Sequence, residues 1–475
     1  MDIARDSFNR RLLWAALGIP IVWVSMWIGL HIYDFGVHIL EDLPLSFNPV
    51  FGVDYAMGLL WWVILAVAIL AVPGDTRKLL MHAWVGKLFV TLLFMLFYEW
   101  FYGLDSTGYY HFIRTGYHDW FPHHDFSGDL LLAIGSFGGD PLSNQGHSNW
   151  LRMLYMISMV TGPYYHALKV ACAFLGLMGV LCFYRAAVVA FGRPCPALFY
   201  LLAFSPSMLF WSSTLGKDPV HFFFISLYAY GGALLLARGG AGPVALMGVA
   251  LLGSYAIRPW VAIMQGGVFL LAMLLGRAKL WQVALLVGFG TPILYAAAGS
   301  FLESFISPDK FIKLMSGNAL DEVLMEVLQE RAKAFEGESK RLGGSGASEI
   351  EQIAQGGADL SMAPYIVFSG LFRPLPYDIT NLMTALAAVE NSLILVLSLI
   401  AVIRLRPSYL RDPFVLWPIL YCVTWALLFG LIVIANFGAG ARQKLQMWPF
   451  LLLPMICLIF EEGRRWLDAR CERAK

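Results

Sequence analysis

Charge is what this chain has least of. Only 14% of its residues are Asp, Glu, Lys or Arg, against about 25% in an ordinary soluble domain. Too few polar side chains are present to cover a water-facing surface, which excludes the soluble globular class. An excess of either sign is lacking too. Lys and Arg number 33 and Asp and Glu 32, a formal net charge of +1, so no basic surplus points to nucleic acid. Cysteine is sparse: Cys172, Cys182, Cys195, Cys422, Cys457 and Cys471 are scattered, with neither metal spacing nor a disulfide framework. The soluble catalytic signatures are missing as well, with no P-loop, no GxGxxG after a strand and no GxSxG. No small-residue cleavage site follows the first apolar run, so that run reads as an anchor rather than a removable signal.

Apolar residues are abundant, at 59% of the chain. They recur in runs of about twenty, the length that spans a bilayer as a helix. Twelve spans are expected, near 12–31, 56–73, 84–103, 164–184, 196–211, 219–237, 243–257, 260–276, 280–299, 382–403, 414–435 and 445–460. Arg258-Pro259 divides the two shortest neighbours. With the N-terminus and its Arg5, Arg10 and Arg11 in the cytoplasm, the basic short loops fall on one side. These are Arg77-Lys78, Arg185 to Arg193, Arg238, Arg277 to Lys279, Arg404 to Arg411 and the C-terminal tail. The expected fold is an all-α polytopic membrane protein of about twelve transmembrane helices, with interfacial helices in its outer loops. Its expected location is a bacterial inner (cytoplasmic) membrane, with both termini cytoplasmic. Four regions follow: an N-terminal hairpin (1–83), a module with the first large loop (84–299), a second outer loop (300–381), and the C-terminal helices with a basic tail (382–475).

The outer side carries the polar chemistry. Asp105 stands where an apolar run ends, and Tyr109, Tyr110, His111 and Arg114 follow at roughly helical spacing. The plain alternative for these rings is an interfacial aromatic belt. Short amphipathic pieces near 107–116, 128–136 and 149–160 suit the membrane interface, and a charged helix is expected near 318–340. Five cations break the positive-inside trend: Lys217, Arg258, Arg373, Arg442 and Lys444. Each sits on a loop beside Pro, Gly or an aromatic residue, a pattern suited to a converging anion site. In SPSMLFWSSTLGKDP (205–219), Lys217 and the amides of a helix start are candidates to hold a phosphate. In NFGAGARQKLQMWPF (436–450), small residues allow close approach, and Arg442 supplies a bidentate fork. His118, Asp119, His123, His124 and Asp125 are dense enough to hold a divalent ion open, although no helical i, i+4 ligand pair is present. Glu390 and Asn391 lie inside a span, where an acid is either paired or part of a proton path.

Together these features suit a lipid carrier with a phosphate or pyrophosphate headgroup. Cations would stabilise the leaving phosphate, and an acid would take the proton of an acceptor hydroxyl. At this point the chain resembles the GT-C superfamily of integral-membrane glycosyltransferases, which includes protein mannosyltransferases and the aminoarabinose transferases of lipid A. The resemblance is carried by LDSTGYY (104–110), FWSSTLGKDP (210–219), FRP (372–374) and NFGAGAR (436–442). The last two also resemble segments of polysaccharide-assembly membrane proteins. Two departures stand out. Ser106 follows Asp105 where many members have a second acid, and an additional hairpin precedes the loop.

The resemblance implies a polyprenyl-phosphate-linked sugar as donor and a glycan, lipid or protein acceptor. It gives Asp105 the role of base, with Asp54 or Asp119 in reserve. It places Tyr109, Tyr110, Lys217, Arg258, Arg373, Arg442 and Lys444 around the donor, with metal use open. A polymerase or ligase acting on a polyprenyl-pyrophosphate oligosaccharide shares this chemistry. A transporter or flippase is the competing class, expected to show internal repeats and midplane polar groups. No clear repeat is visible, and polar residues gather at the outer edge.

Overall fold

The computed structural model describes residues 51–101, 105–115, 145–276, 362–379 and 382–473. Among the described residues the regular elements are all helical. Five of the described helices are long and apolar enough to cross a membrane by length and composition: Val53–Leu70, Tyr165–Phe191, Lys217–Arg238, Thr384–Arg404 and Pro413–Gly430. Four shorter apolar helices accompany them. These findings are consistent with an all-α membrane protein. The count is lower than the twelve spans expected from hydropathy. Two of those, 12–31 and 280–299, lie outside the described residues, as do the expected pieces 128–136 and 318–340.

By packing, the chain divides into two compact units. The first is Met1–Val188, Arg193–Tyr230 and Ala256–Arg258, and the second is Val189–Gly192, Gly231–Tyr255 and Pro259–Lys475.

In the first unit, α1 (Phe51–Leu70) is apolar around its circumference. Leu59, Leu60, Val63, Ile64 and Val67 are exposed, as suits a lipid-facing helix, while Asp54 and Gly58 are buried on the other side. Helix α2 (Asp75–Leu88) runs through a π-helical turn at Phe89–Phe94 into α3 (Met95–Phe101), one continuous rod. After a short connection comes α4 (Asp105–Thr115). Its buried positions Ser106, Tyr109 and Tyr110 and its exposed Asp105 and Gly108 make it amphipathic. Helix α5 (Gln145–Thr161) packs on α4.

Next is α6 (Tyr165–Phe191), at 27 residues the longest helix among the described residues. The single span expected over 196–211 is broken into α7 (Pro196–Phe204) and α8 (Pro206–Trp211). Pro206 has no N–H to give the helix and forces Ser205 into an extended conformation, φ −57° and ψ 128°. Gly176 of α6 lets this corner come close, since a Cβ there would lie 2.2 Å from the Ser212 carbonyl oxygen. Helix α9 (Lys217–Arg238) then starts in this unit.

The second unit holds most of α10 (Ala241–Ile257) and all of α11 (Pro259–Leu275), which are divided at Arg258-Pro259 as expected from the sequence. The unit continues with α12 (Ala363–Phe372), α13 (Leu382–Arg404), α14 (Pro413–Ala435) and α15 (Phe437–Gln443). It closes with α16 (Trp448–Ile459) and α17 (Glu461–Arg473). Helices α12 and α14 cross closely, because a Cβ on Gly430 would lie 2.3 Å from the Ile366 carbonyl oxygen. Any side chain there would force the pair apart.

Candidate active site

Asp105 is the first residue of α4 and is exposed. A carboxylate in a first turn suits the helix dipole. The residues around it are buried and tightly bonded. Ser106 is 1% exposed. Its Oγ lies 3.0 Å from the Tyr165 hydroxyl, which lies 2.7 Å from Glu99 Oε1 on α3. Glu99 Oε2 in turn accepts from Lys169 Nζ at 2.6 Å. A carboxylate can only accept, so the Tyr165 O–H points to Glu99 and Ser106 donates to Tyr165. The bonds therefore run in one direction, Ser106 to Tyr165 to Glu99, with Lys169 closing the far end. Lys169 also lies 4.6 Å from the centre of the Tyr165 ring.

One residue along α6, His166 meets the other buried acid of the region. Its Nδ1 is 2.5 Å from Asp54 Oδ2, and its backbone N–H donates to the same oxygen at 3.3 Å. Asp54 is only 2% exposed. It is held inside the packing, unlike Asp105.

Tyr109 and Tyr110 are buried. Tyr109 packs edge-on against Trp150 at 5.7 Å, and Tyr110 against Tyr165 at 5.3 Å. Both rings point into the core that seats α4, alongside Leu151, Leu154 and Leu168.

The SSTLGKD stretch is also packed away. Ser212, Ser213 and Thr214 are buried. Lys87 Nζ donates to the Ser212 carbonyl at 2.8 Å, to Ser212 Oγ at 2.7 Å and to Ser213 Oγ at 3.1 Å. These hydroxyls thus close the end of α8. Beside them, Asp218 in the first turn of α9 accepts from Arg258 Nη2 at 2.8 Å. Lys217 stays half-buried.

In the second unit, Arg373 follows α12 and is 5% exposed. Its Nε donates to Asp378 Oδ2 at 3.0 Å and its Nη2 to Oδ1 at 2.5 Å, a fork on a carboxylate. Tyr365, Tyr377 and Phe437 surround the guanidinium with centroids at 5.9, 5.7 and 5.1 Å. Lys444 reaches the same loop from the other side. Its Nζ donates to the carbonyls of Leu371 (3.1 Å) and Arg373 (2.5 Å) and to Asn391 Oδ1 (3.2 Å). Asn391 Nδ2 donates on to the Pro374 carbonyl at 3.1 Å. Burial pushes the Lys444 amine down to about 7, against the opposing pull of Glu390 and Asp378. Arg442, on α15, is half-buried.

Of the five expected cations, Arg258 and Arg373 are paired with acids and Lys444 holds backbone carbonyls, while Lys217 and Arg442 are half-buried. Asn391 is a structural tie rather than a midplane relay. His118, Asp119, His123, His124 and Asp125 lie outside the described residues, and no group of three or more metal-ligating side chains occurs among the described ones.

Sequence reasoning passed over Lys87, Glu99, Tyr165, His166 and Lys169. The available signal was their setting, since ionisable residues inside apolar runs need partners. In comparisons with known proteins, no family model, no curated protein and no solved structure matches this chain.

Proposed function

We propose that this chain is an integral-membrane glycosyltransferase. It moves a sugar from a polyprenyl-phosphate-linked donor to an acceptor hydroxyl on the outer face of a bacterial cytoplasmic membrane, with both termini in the cytoplasm. The observation that carries the reading is Asp105: an exposed carboxylate opening a short amphipathic helix, a few residues after the rod α2–α3. There it would take the proton of the acceptor hydroxyl as the bond to the sugar forms and the bond to the lipid phosphate breaks. Lys217, half-buried and in the same unit as Asp105, would meet that phosphate. A polyprenyl-pyrophosphate oligosaccharide would use the same groups, making the enzyme a polymerase or ligase.

The test is transfer from a labelled polyprenyl-phosphate sugar by purified protein. Asp105→Asn should lose transfer while keeping expression and helical content. Full transfer by that variant would remove Asp105 from the mechanism. A second reading, transport of a lipid-linked sugar, is favoured by the buried pairs Glu99–Lys169 and Asp54–His166 within apolar helices. Movement of labelled lipid across vesicles without any glycosylated product would select it.

A further inference from the structure

A base must be held in place to act on a hydroxyl, and α4 is poorly equipped to hold itself. It has 11 residues, and helices shorter than about 12–15 are marginal alone. Its apolar anchors, Tyr109 and Tyr110, sit a full turn beyond Asp105. The first turn carries a buried polar tie, the Ser106–Tyr165–Glu99 chain closed by Lys169. That chain joins three elements, α3, α4 and α6. It ends on a charged pair whose Lys169 is 0% exposed and whose Glu99 is 10% exposed at its side chain, where hydrogen bonds are stronger than in water.

We propose that Ser106 and Tyr165 are positioning residues. Their hydrogen bond ties the first turn of α4, and with it Asp105, to the buried Glu99–Lys169 pair. The catalytic half of this proposal rests on Asp105 acting as the base; the anchoring half does not.

The experiment compares Ser106→Ala, Tyr165→Phe and the double variant of the full chain in detergent. Amide hydrogen exchange is read over 105–115. Each single variant should exchange about tenfold faster there, the scale of one lost hydrogen bond. The double variant should exchange no faster than either single one, because one link is broken in all three. Unchanged exchange in Ser106→Ala, or a double variant that sums the two singles, overturns the anchor. Ser106→Ala decides the matter even if Tyr165→Phe fails to fold.

In the transfer assay both singles should lower kcat with KM unchanged. Faster exchange with normal kcat overturns the positioning of Asp105 while leaving the anchor standing. A wild-type protein that transfers no sugar from any polyprenyl-linked donor defeats the proposed function instead, and the exchange arm still judges the anchor.

Discussion

Lys87 in the first unit and Lys444 in the second do similar work with different partners. Each is almost fully buried, at 1% and 2% exposed. Each closes the C-terminal end of a short helix, α8 for Lys87 and α12 for Lys444, where carbonyls lack partners within the helix. An ammonium suits that end because the helix dipole is negative there. Lys87 finds one carbonyl and two serine hydroxyls. Lys444 finds two carbonyls and a side-chain amide oxygen. Serine hydroxyls can turn to new partners, whereas backbone carbonyls cannot. The same contrast runs through the arginines. Arg258 meets an Asp already favoured by the first turn of α9, while Arg373 meets an Asp that closes a single 3-10 turn, Pro376–Asp378, and accepts the Leu375 amide. The second unit therefore depends more heavily on its cations.

The largest test of that contrast is Arg373→Ala. It removes the cation from the buried Asp378 carboxylate, leaving the Leu375 amide on Oδ2, and should cost about 3–5 kcal/mol, read by thermal unfolding in detergent. Arg258→Ala should cost less, because the α9 dipole keeps stabilising Asp218. Equal losses would break the comparison.

A smaller effect separates the lysines. Lys87→Met and Lys444→Met should each cost about 1–3 kcal/mol for the acceptors left bare, with Lys444→Met the larger. The reverse order would show that the hydroxyls of Ser212 and Ser213 do not find new partners.

The smallest effect is pH dependence around Lys444. Its ordinary value is 10.5, and burial lowers it to about 7. Between those values the unfolded chain holds a proton that the folded one has released, so stability rises with pH across that window. Exchange protection over 371–379 should therefore increase from pH 7 to pH 9. Flat protection across that range would show that the three acceptors keep the ammonium charged.

Much of the helical plan was legible in the sequence. The expected break at Arg258-Pro259 falls between α10 and α11, and the pieces expected at 107–116 and 149–160 appear as α4 and α5. Apolar runs, prolines and amphipathic spacing are local signals, and local signals survive into structure. Pro206 carried the same kind of signal, but it was passed over inside a continuous apolar run. The partners were harder to read. Lys87 and Ser212 are 125 positions apart, and nothing in periodicity joins them. The isolated cations stand out in the sequence, but their sequence neighbours did not reveal the partners that Arg258, Arg373 and Lys444 have within the protein. Arg373 was the readable case, with Asp378 five residues on.

The π-helical turn at Phe89–Phe94 bears on every residue beyond it. Such a turn holds a surplus residue relative to the α-helical winding before it. Successive residues of an α-helix differ by about 100° in direction. The surplus therefore sets the azimuth of everything downstream on the rod, Glu99 included. Excising one residue from Phe89–Phe94 would leave Glu99 chemically intact yet facing a different neighbour, away from Lys169 and Tyr165. The composition of the site would survive and its wiring would not. One irregular turn thus works as an angular spacer, and substitutions that conserve every polar side chain could still unmake the cluster by changing the length of the rod.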